Sequence, residues 1–366
     1  MKLACKYINS CRGCPLGHLE FEEQNNVKKK KFTDRLNQAF SAQALARAEF
    51  DYVFPVFNSY RTRCDFVYAE NRLGWYDQEK KFLPIDECPL HTKPLAEFAK
   101  ELIKMSWPVS LGSMRLRVSP DGKFGVWLDL ANLDIKYILS DAKYLSRLFE
   151  AGIVVEMGQK GKRVVQTDKG FKLSDPEPYA WFQTLYNDKV VPLNALISSF
   201  TQTNPDLSIR MIKILKSFLG ATSFDNVIEF GCGVGNFTLF LSEYTNAMSV
   251  IENDFRNLIP LKQNLDQHGL TDSVMIFENV NTFISNKPTI GKNSLYFVNP
   301  ARSGVGALFD SPIDANHVMY VSCHLDSFLL DTAKLAEQGF RLVKATLFDQ
   351  FPHADHFEIL SYFIRD

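Results

Sequence analysis

From about residue 206 onward the chain repeats one pattern: a short apolar run, a turn, then an amphipathic spacer. The runs are Asn226–Phe230, Ala247–Ile251, Val274–Phe277, Leu295–Val298 and Val318–Ser322. Each is too short for a helix and apolar almost throughout, as expected of strands buried on both faces. The spacing predicts helices over Leu207–Leu219 and from the Gly-rich turn through about Tyr244. Alternating strands and helices fold as a parallel, doubly wound α/β sheet. The last two strands, Arg341–Phe348 and His356–Ile364, are joined by a short loop containing Pro352. A link that short forces them antiparallel. Seven strands with a reversed last strand are therefore expected.

The first part of the chain reads differently. With 366 residues, two or three domains of roughly 100–200 residues are expected, and the pattern changes near residue 195. The expected division is 1–195 and 196–366. Tyr52–Phe57, Cys64–Tyr68, Met114–Val118 and Phe124–Leu128 alternate like strands, with a hairpin around Pro120-Asp121-Gly122. Pro94–Lys104 reads as a helix, and the basic run Lys28–Lys31 is expected to open a solvated helix reaching about Phe50. This is a mixed α+β unit. Its charge is +5 (29 Lys+Arg against 24 Asp+Glu), whereas residues 196–366 carry −6 (12 against 18). A nucleic-acid surface would belong mostly to the first part.

Hydrophobic residues at 46% and charged residues at 23% exclude wholesale disorder. Apolar runs such as Val191–Phe200 fall well short of a spanning helix, which needs about 18 residues or more. The start, Met1-Lys2-Leu3-Ala4-Cys5, weakly resembles a lipoprotein box, but no apolar export segment fits before Cys5. A cytoplasmic protein without membrane contact is expected.

Glu229-Phe230-Gly231-Cys232-Gly233-Val234-Gly235 follows the first strand of the repeating pattern and opens a helix. Glycines there let the backbone approach a ligand closely. The G-x-G-x-G spacing, with an acidic residue two positions earlier, suits a sulfonium–adenosine ligand better than a pyrophosphate. Glu252, ending the second strand, can accept both ribose hydroxyls. Together these favour S-adenosylmethionine over NAD, in the strand layout of Rossmann-like methyltransferases.

In open α/β sheets chemistry gathers beyond the carboxyl ends of the strands. Asn299-Pro300-Ala301-Arg302, Ser322-Cys323-His324 and the loop Asp349–His356 all fall at that edge. Because the last strand is reversed, its first residues, including Glu358, lie there too. A thiol and a carboxylate beside a methyl donor suit methylation of uracil carbon-5. Thiolate addition at carbon-6 makes carbon-5 nucleophilic, and a base then removes the carbon-5 proton. Cys323 fits the nucleophile and Glu358 the base. The bland alternatives are a small core cysteine and an ordinary salt-bridge carboxylate.

Cys5, Cys11 and Cys14 crowd the N-terminus, and Cys88-Pro89 lies far downstream. Four thiolates suit zinc or an iron–sulfur cluster. A triplet with one remote Cys-Pro leans toward [4Fe–4S] rather than two Cys-x₂-Cys zinc pairs. A cytoplasmic setting disfavours disulfides.

Several segments together resemble the RNA uracil-C5-methyltransferase family. They are Cys5–Cys14, Tyr60-Arg61-Thr62-Arg63, Glu87-Cys88-Pro89-Leu90, Ser199–Pro205, the glycine loop, Val298-Asn299-Pro300, Ser322-Cys323 and Phe351–Glu358. The resemblance implies a Rossmann-like seven-stranded methyltransferase domain preceded by a mixed α+β iron–sulfur and RNA-binding domain. It implies Cys323 as nucleophile, Glu358 as proton acceptor and a [4Fe–4S] cluster on Cys5, Cys11, Cys14 and Cys88. It places S-adenosylmethionine against Gln202, Gly231, Glu252 and Asn299, and makes Arg61 and Arg63 a substrate-facing basic pair. With no small β-barrel before Cys5, the chain most resembles the barrel-less branch that methylates uracil-747 of 23S rRNA, and a monomer is expected. A tRNA uracil methyltransferase and an iron–sulfur RNA-binding protein with a lapsed site are the alternatives. Departures from the family pattern are Glu229 for Asp, Gly231 for a bulky residue, Asn299 for the Asp of some relatives, and His324-Leu325 after Cys323.

Overall fold

A computed structural model describes residues 2–55, 59–105, 107–130, 134–286 and 290–365. The repeating C-terminal pattern forms one sheet. Its strands are Asn226–Phe230 (β1), Met248–Ile251 (β2), Val274–Phe277 (β3), Ser294–Val298 (β4), His317–Ser322 (β5), Arg341–Phe348 (β6) and Glu358–Ile364 (β7). β1 pairs in parallel with β2 and β4, β2 with β3, and β4 with β5. β7 runs antiparallel between β5 and β6, as the short β6–β7 link requires.

The sheet has eight strands rather than the expected seven. Glu49–Val53 lies parallel on β6 and closes that edge. The sequence places a strand nearby, at Tyr52–Phe57, but its pairing partner is almost 300 residues away and leaves no local trace. Residues 56 and 57 lie outside the described residues.

Alternate strand residues face opposite layers. Val227, Phe297 and Met319 meet Ile212 and Leu215 of helix Pro205–Leu219 and Leu261 of helix Phe255–Gln267. Ile228, Tyr296 and Tyr320 meet Phe328 and Leu335 of helix Leu325–Glu337. Phe32 and Leu36 of the N-terminal helix Phe21–Ala39 join this second layer. Fully burying one such side chain is worth about 1.5–3 kcal/mol. The N-terminal stretch therefore contributes both a helix and a strand to the C-terminal sheet.

That helix also corrects two sequence expectations. It ends at Ala39, where Phe40 turns to extended backbone, well short of Phe50. It is also not wholly solvated. Lys29, Lys30 and Lys31 are exposed, but Lys28 is completely buried and paired with Asp349.

The second sheet holds Phe82–Pro84, Arg72–Tyr76, Arg63–Ala69, Leu111–Val118, Phe124–Leu130, Val154–Met157, Lys162–Thr167 and Gly170–Ser174, in that spatial order. The predicted hairpin is present, with Gly122 at φ +87° between its strands. Helix Lys93–Ile103 buries Leu95, Phe98 and Leu102 against this sheet. A two-stranded ribbon, Tyr179–Tyr186 with Lys189–Ala195, links the sheets. Its Asn187-Asp188 turn has positive φ at both residues, the geometry favoured in tight hairpins. Among the described residues, no helix is long and apolar enough to cross a membrane.

Candidate active site

The carboxyl end of β1 turns at Gly231, whose φ is +76°. A Cβ there would approach the Asn299 carbonyl oxygen closer than 3.0 Å, so no side chain fits. The turn after β1 packs directly on the turn after β4. The Gly231 amide donates to Ile251 O at 3.0 Å, and the Asn299 amide to Phe230 O at 3.0 Å. Glu252, at the end of β2, accepts from the Gly233 and Asp254 amides, each at 2.7 Å. Gly231, Glu252 and Asn299 thus meet at the carboxyl edge of β1, β2 and β4. Gln202 is buried and accepts from Gln350 Nε2 at 3.3 Å, just past β6.

Glu229 is fully buried beneath the glycine loop. Thr238 Oγ1 donates to its Oε2 at 2.6 Å, while Oε1 has no hydrogen-bond partner. Burial pushes this carboxyl up to about 8. It is therefore mostly protonated at neutral pH, as a carboxyl without a counter-charge should be in a low-dielectric site.

Cys323 follows β5 directly, and Glu358 opens β7. Ser322 pairs with Ile359 across these antiparallel strands, so the next register position sets Cys323 opposite Glu358. Neighbouring strands lie about 4.8 Å apart, which brings the two side chains to one spot. Glu358 is 4% exposed, and burial pushes its carboxyl up to about 7 against the pull of Arg302. Burial and the Glu358 charge push the Cys323 thiol up, while Arg302 draws it back down. Arg302, in the loop after β4, therefore serves both groups. Sequence reasoning places its loop at this edge without singling it out; its position three residues past Asn299 is the available signal.

His324 caps helix Leu325–Glu337, with its Nδ1 accepting from the Ser327 amide at 3.3 Å. His356 is exposed and paired with Asp355.

The segment before Gln202 is held by buried charge. Arg117 donates to Leu196 O and Ser199 O, and Arg115 to Ser198 O. Arg63 donates to Thr201 O at 3.0 Å, and Glu156 accepts from the Ile197 and Ser198 amides. Arg63 is only 7% exposed, and burial with Arg115 nearby draws its guanidinium down to about 10. It grips the chain's own backbone where the sequence suggests an exposed substrate contact. The segment it supports carries Phe200, which is 64% exposed beside the Arg63 guanidinium.

Cys5, Cys11, Cys14 and Cys88 line one cavity, walled by Leu3, Ile8, Trp75, Ile85 and Pro89. None is in a disulfide. Burial and the other three thiols push Cys14 up to about 12; burial also raises Cys11, with Cys5 adding, and Cys88, with Cys5 and Cys11 adding. The Gly13 amide donates to Cys11 Sγ at 3.4 Å. Arg61 lies alongside and stacks on Tyr60; against the cost of burial, Tyr60, Cys64 and Cys88 hold it firmly charged. Among the described residues, no three His, Cys, Asp or Glu side chains are grouped for a single metal ion. The four thiols share one cavity, with the Gly13 amide beside Cys11 and Arg61 nearby.

No family model matches the chain. An uncharacterised RNA methyltransferase of Bdellovibrio bacteriovorus is 31% identical over 99% of this chain and 95% of its own length. The 23S rRNA (uracil(1939)-C(5))-methyltransferase RlmD of Shewanella sediminis is 26% identical over 99% of this chain and 81% of its own length. In fold, the chain matches Pyrococcus abyssi tRNA (uracil-54, C5)-methyltransferase, solved with S-adenosyl-L-homocysteine. The TM-score is 0.67 at 18% identity, covering 96% of this chain and 86% of that one. With Gly231, Glu252 and Asn299 gathered at the ends of β1, β2 and β4 and the Cys323–Glu358 pair at the same edge, these relationships mean that the chain belongs to the RNA uracil-C5-methyltransferase family.

Proposed function

We propose that this enzyme methylates carbon-5 of a uracil in 23S rRNA through a covalent adduct on Cys323. The observation that carries the reading is the strand register that sets Cys323 against Glu358, at the edge where Gly231, Glu252 and Asn299 meet. Cys323, as thiolate, forms a C–S bond at uracil carbon-6 and drives electrons toward carbon-5. Arg302 favours the thiolate beforehand. S-adenosylmethionine, held by Gln202, Gly231, Glu252 and Asn299, supplies the methyl group. Glu358 then takes the carbon-5 proton, the C5=C6 double bond re-forms, and the Cys323 thiolate leaves. A carboxyl pushed to about 7 suits this step, since a general base works best near the operating pH. The assembly of Cys323, Glu358 and Arg302 favours an active enzyme over a lapsed one.

The four cysteines of the N-terminal cavity would hold a [4Fe–4S] cluster, with Arg61 offsetting its negative charge. Bound there, the cluster supplies a covalent staple between residues 5–14 and the Cys88 turn. The name of the Shewanella relative favours 23S rRNA, a substrate of the cytoplasm. The target base must leave its stack to reach Cys323, so a loop or distorted hairpin is the expected site.

Mass mapping of 23S rRNA and tRNA, with and without the protein, tests the assignment. One 5-methyluridine should vanish from 23S rRNA on deletion. Its disappearance from tRNA instead, or an unchanged map of both, would contradict it.

A further inference from the structure

The loop between β6 and β7 ends at Glu358 and is gripped from outside the sheet. Lys28 Nζ, fully buried, donates to Asp349 Oδ1 at 2.7 Å and to Phe351 O at 3.0 Å. One turn earlier on the same helix, Gln24 Nε2 lies 3.2 Å from His353 Nδ1. One turn later, Phe32 packs edge-on against Phe357, with ring centroids 5.9 Å apart. The Leu16 amide, two residues past Cys14, donates to His353 O at 3.0 Å. His353 itself has φ +72°, a strained conformation for a non-glycine residue. Such a conformation persists only where the surroundings over-determine it.

A buried ammonium–carboxylate pair is a costly way to fasten a loop, because both ions lose their hydration. Apolar packing would hold the helix to the sheet without it. What the pair adds is direction: it fixes the two residues that begin the turn, while Gln24 and Leu16 fix its middle. The turn leads directly into Glu358, which is 4% exposed.

We propose that Lys28, seconded by Gln24, is a positioning residue for the proton-removal step, holding the β6–β7 loop so that Glu358 faces the Cys323 adduct. Through Leu16 the cysteine-bearing segment grips the same loop, so an intact N-terminal cavity supports the base. This rests on the covalent-adduct reading above.

The test uses full-length, anaerobically purified protein with a 23S rRNA transcript and S-adenosylmethionine. Lys28→Met alone strands a buried Asp349, so the double variant Lys28→Met/Asp349→Asn removes both charges together. Gln24→Ala, which strands no charge, is the second variant. Adduct formation and adduct release are timed separately on denaturing gels, with Glu358→Gln alongside. A displacement of the base of about 1 Å costs up to roughly 100-fold. Release should therefore slow by about 10–100-fold in the double variant, and more weakly in Gln24→Ala. RNA and S-adenosylmethionine binding should stay within about twofold of wild type, as expected when binding groups are untouched. Should the double variant not fold, Gln24→Ala decides alone. Folded variants that release at the wild-type rate, or that slow formation and release equally, would overturn the proposal. If Glu358→Gln itself releases normally, the base lies elsewhere and this inference falls with that assignment; if wild type forms no adduct, the covalent reading itself falls.

Discussion

Replacing Gly231 by Ala should damage the cofactor cleft more than its size suggests. Two costs add. The first is conformational: at φ +76° an L-residue with a Cβ loses about 1–2 kcal/mol relative to glycine. The second is steric. The new Cβ would sit inside 3.0 Å of the Asn299 carbonyl oxygen, and its obstacle is backbone rather than a movable side chain end. Relieving it requires the turns after β1 and β4 to part by several tenths of an ångström. Overpacking of this kind costs about 1–3 kcal/mol. The sum is about 2–5 kcal/mol, which for a domain of this size lowers Tm by roughly 5–15 °C. In the proposed cofactor site Asn299 forms the far wall, so S-adenosylmethionine affinity should fall by at least about tenfold, equivalent to about 1.4 kcal/mol. Thermal unfolding with and without ligand, together with calorimetric titration, measures both. A Gly231→Ala protein with unchanged Tm and unchanged affinity would refute the packing of the two turns described here.

Arg302→Ala should move the pH–rate profile upward. Proton removal needs the Glu358 carboxylate, so the rate rises with pH through about 7. Arg302 pulls both Glu358 and Cys323 down, so its loss makes both weaker acids. Each tenfold weakening should cost about tenfold in activity at neutral pH, with recovery at higher pH; an unmoved profile counts against the placement of Arg302. Anaerobically purified protein should be brown with about four irons and four sulfides per chain, and Cys88→Ser should lose colour and stability together; one zinc without sulfide would reject the cluster. Arg63→Ala should lower Tm by several degrees, because it leaves the Thr201 carbonyl without its buried donor, yet leave the salt dependence of RNA binding unchanged. A flatter salt slope would return Arg63 to the RNA surface.

Much of the candidate site's geometry is legible in the sequence because it follows from strand order. Short apolar runs mark the sheet, and the short β6–β7 link reverses the last strand. Reversal alone brings Glu358 beside Cys323, across 35 residues of chain. The features that sequence reasoning misses depend on contacts without local pattern. Glu49–Val53 pairs with a strand at the far end of the chain. Arg63 belongs to a strand whose first two residues are both buried, Cys64 in the core of its own sheet and Arg63 on the other face beneath the segment before Gln202. Lys28 reads as one of four solvated lysines. Its burial is faintly written, since Gln24, Lys28, Phe32 and Leu36 recur every four residues on one helix face. Nothing in that stripe announces that a lysine on it meets Asp349.

The most direct test of the covalent mechanism is mass mapping of the protein–RNA crosslink. Wild-type enzyme is incubated with S-adenosylmethionine and 23S rRNA carrying 5-fluorouracil, whose fluorine cannot leave as a cation. After nuclease and protease digestion, one peptide should carry a methylated fluorouridine nucleotide, attached at Cys323. Glu358→Gln should yield the corresponding adduct on ordinary uracil, and Cys323→Ala should yield none while still binding RNA. An adduct on another residue, or carbon-5 methylation by Cys323→Ala, would contradict the account.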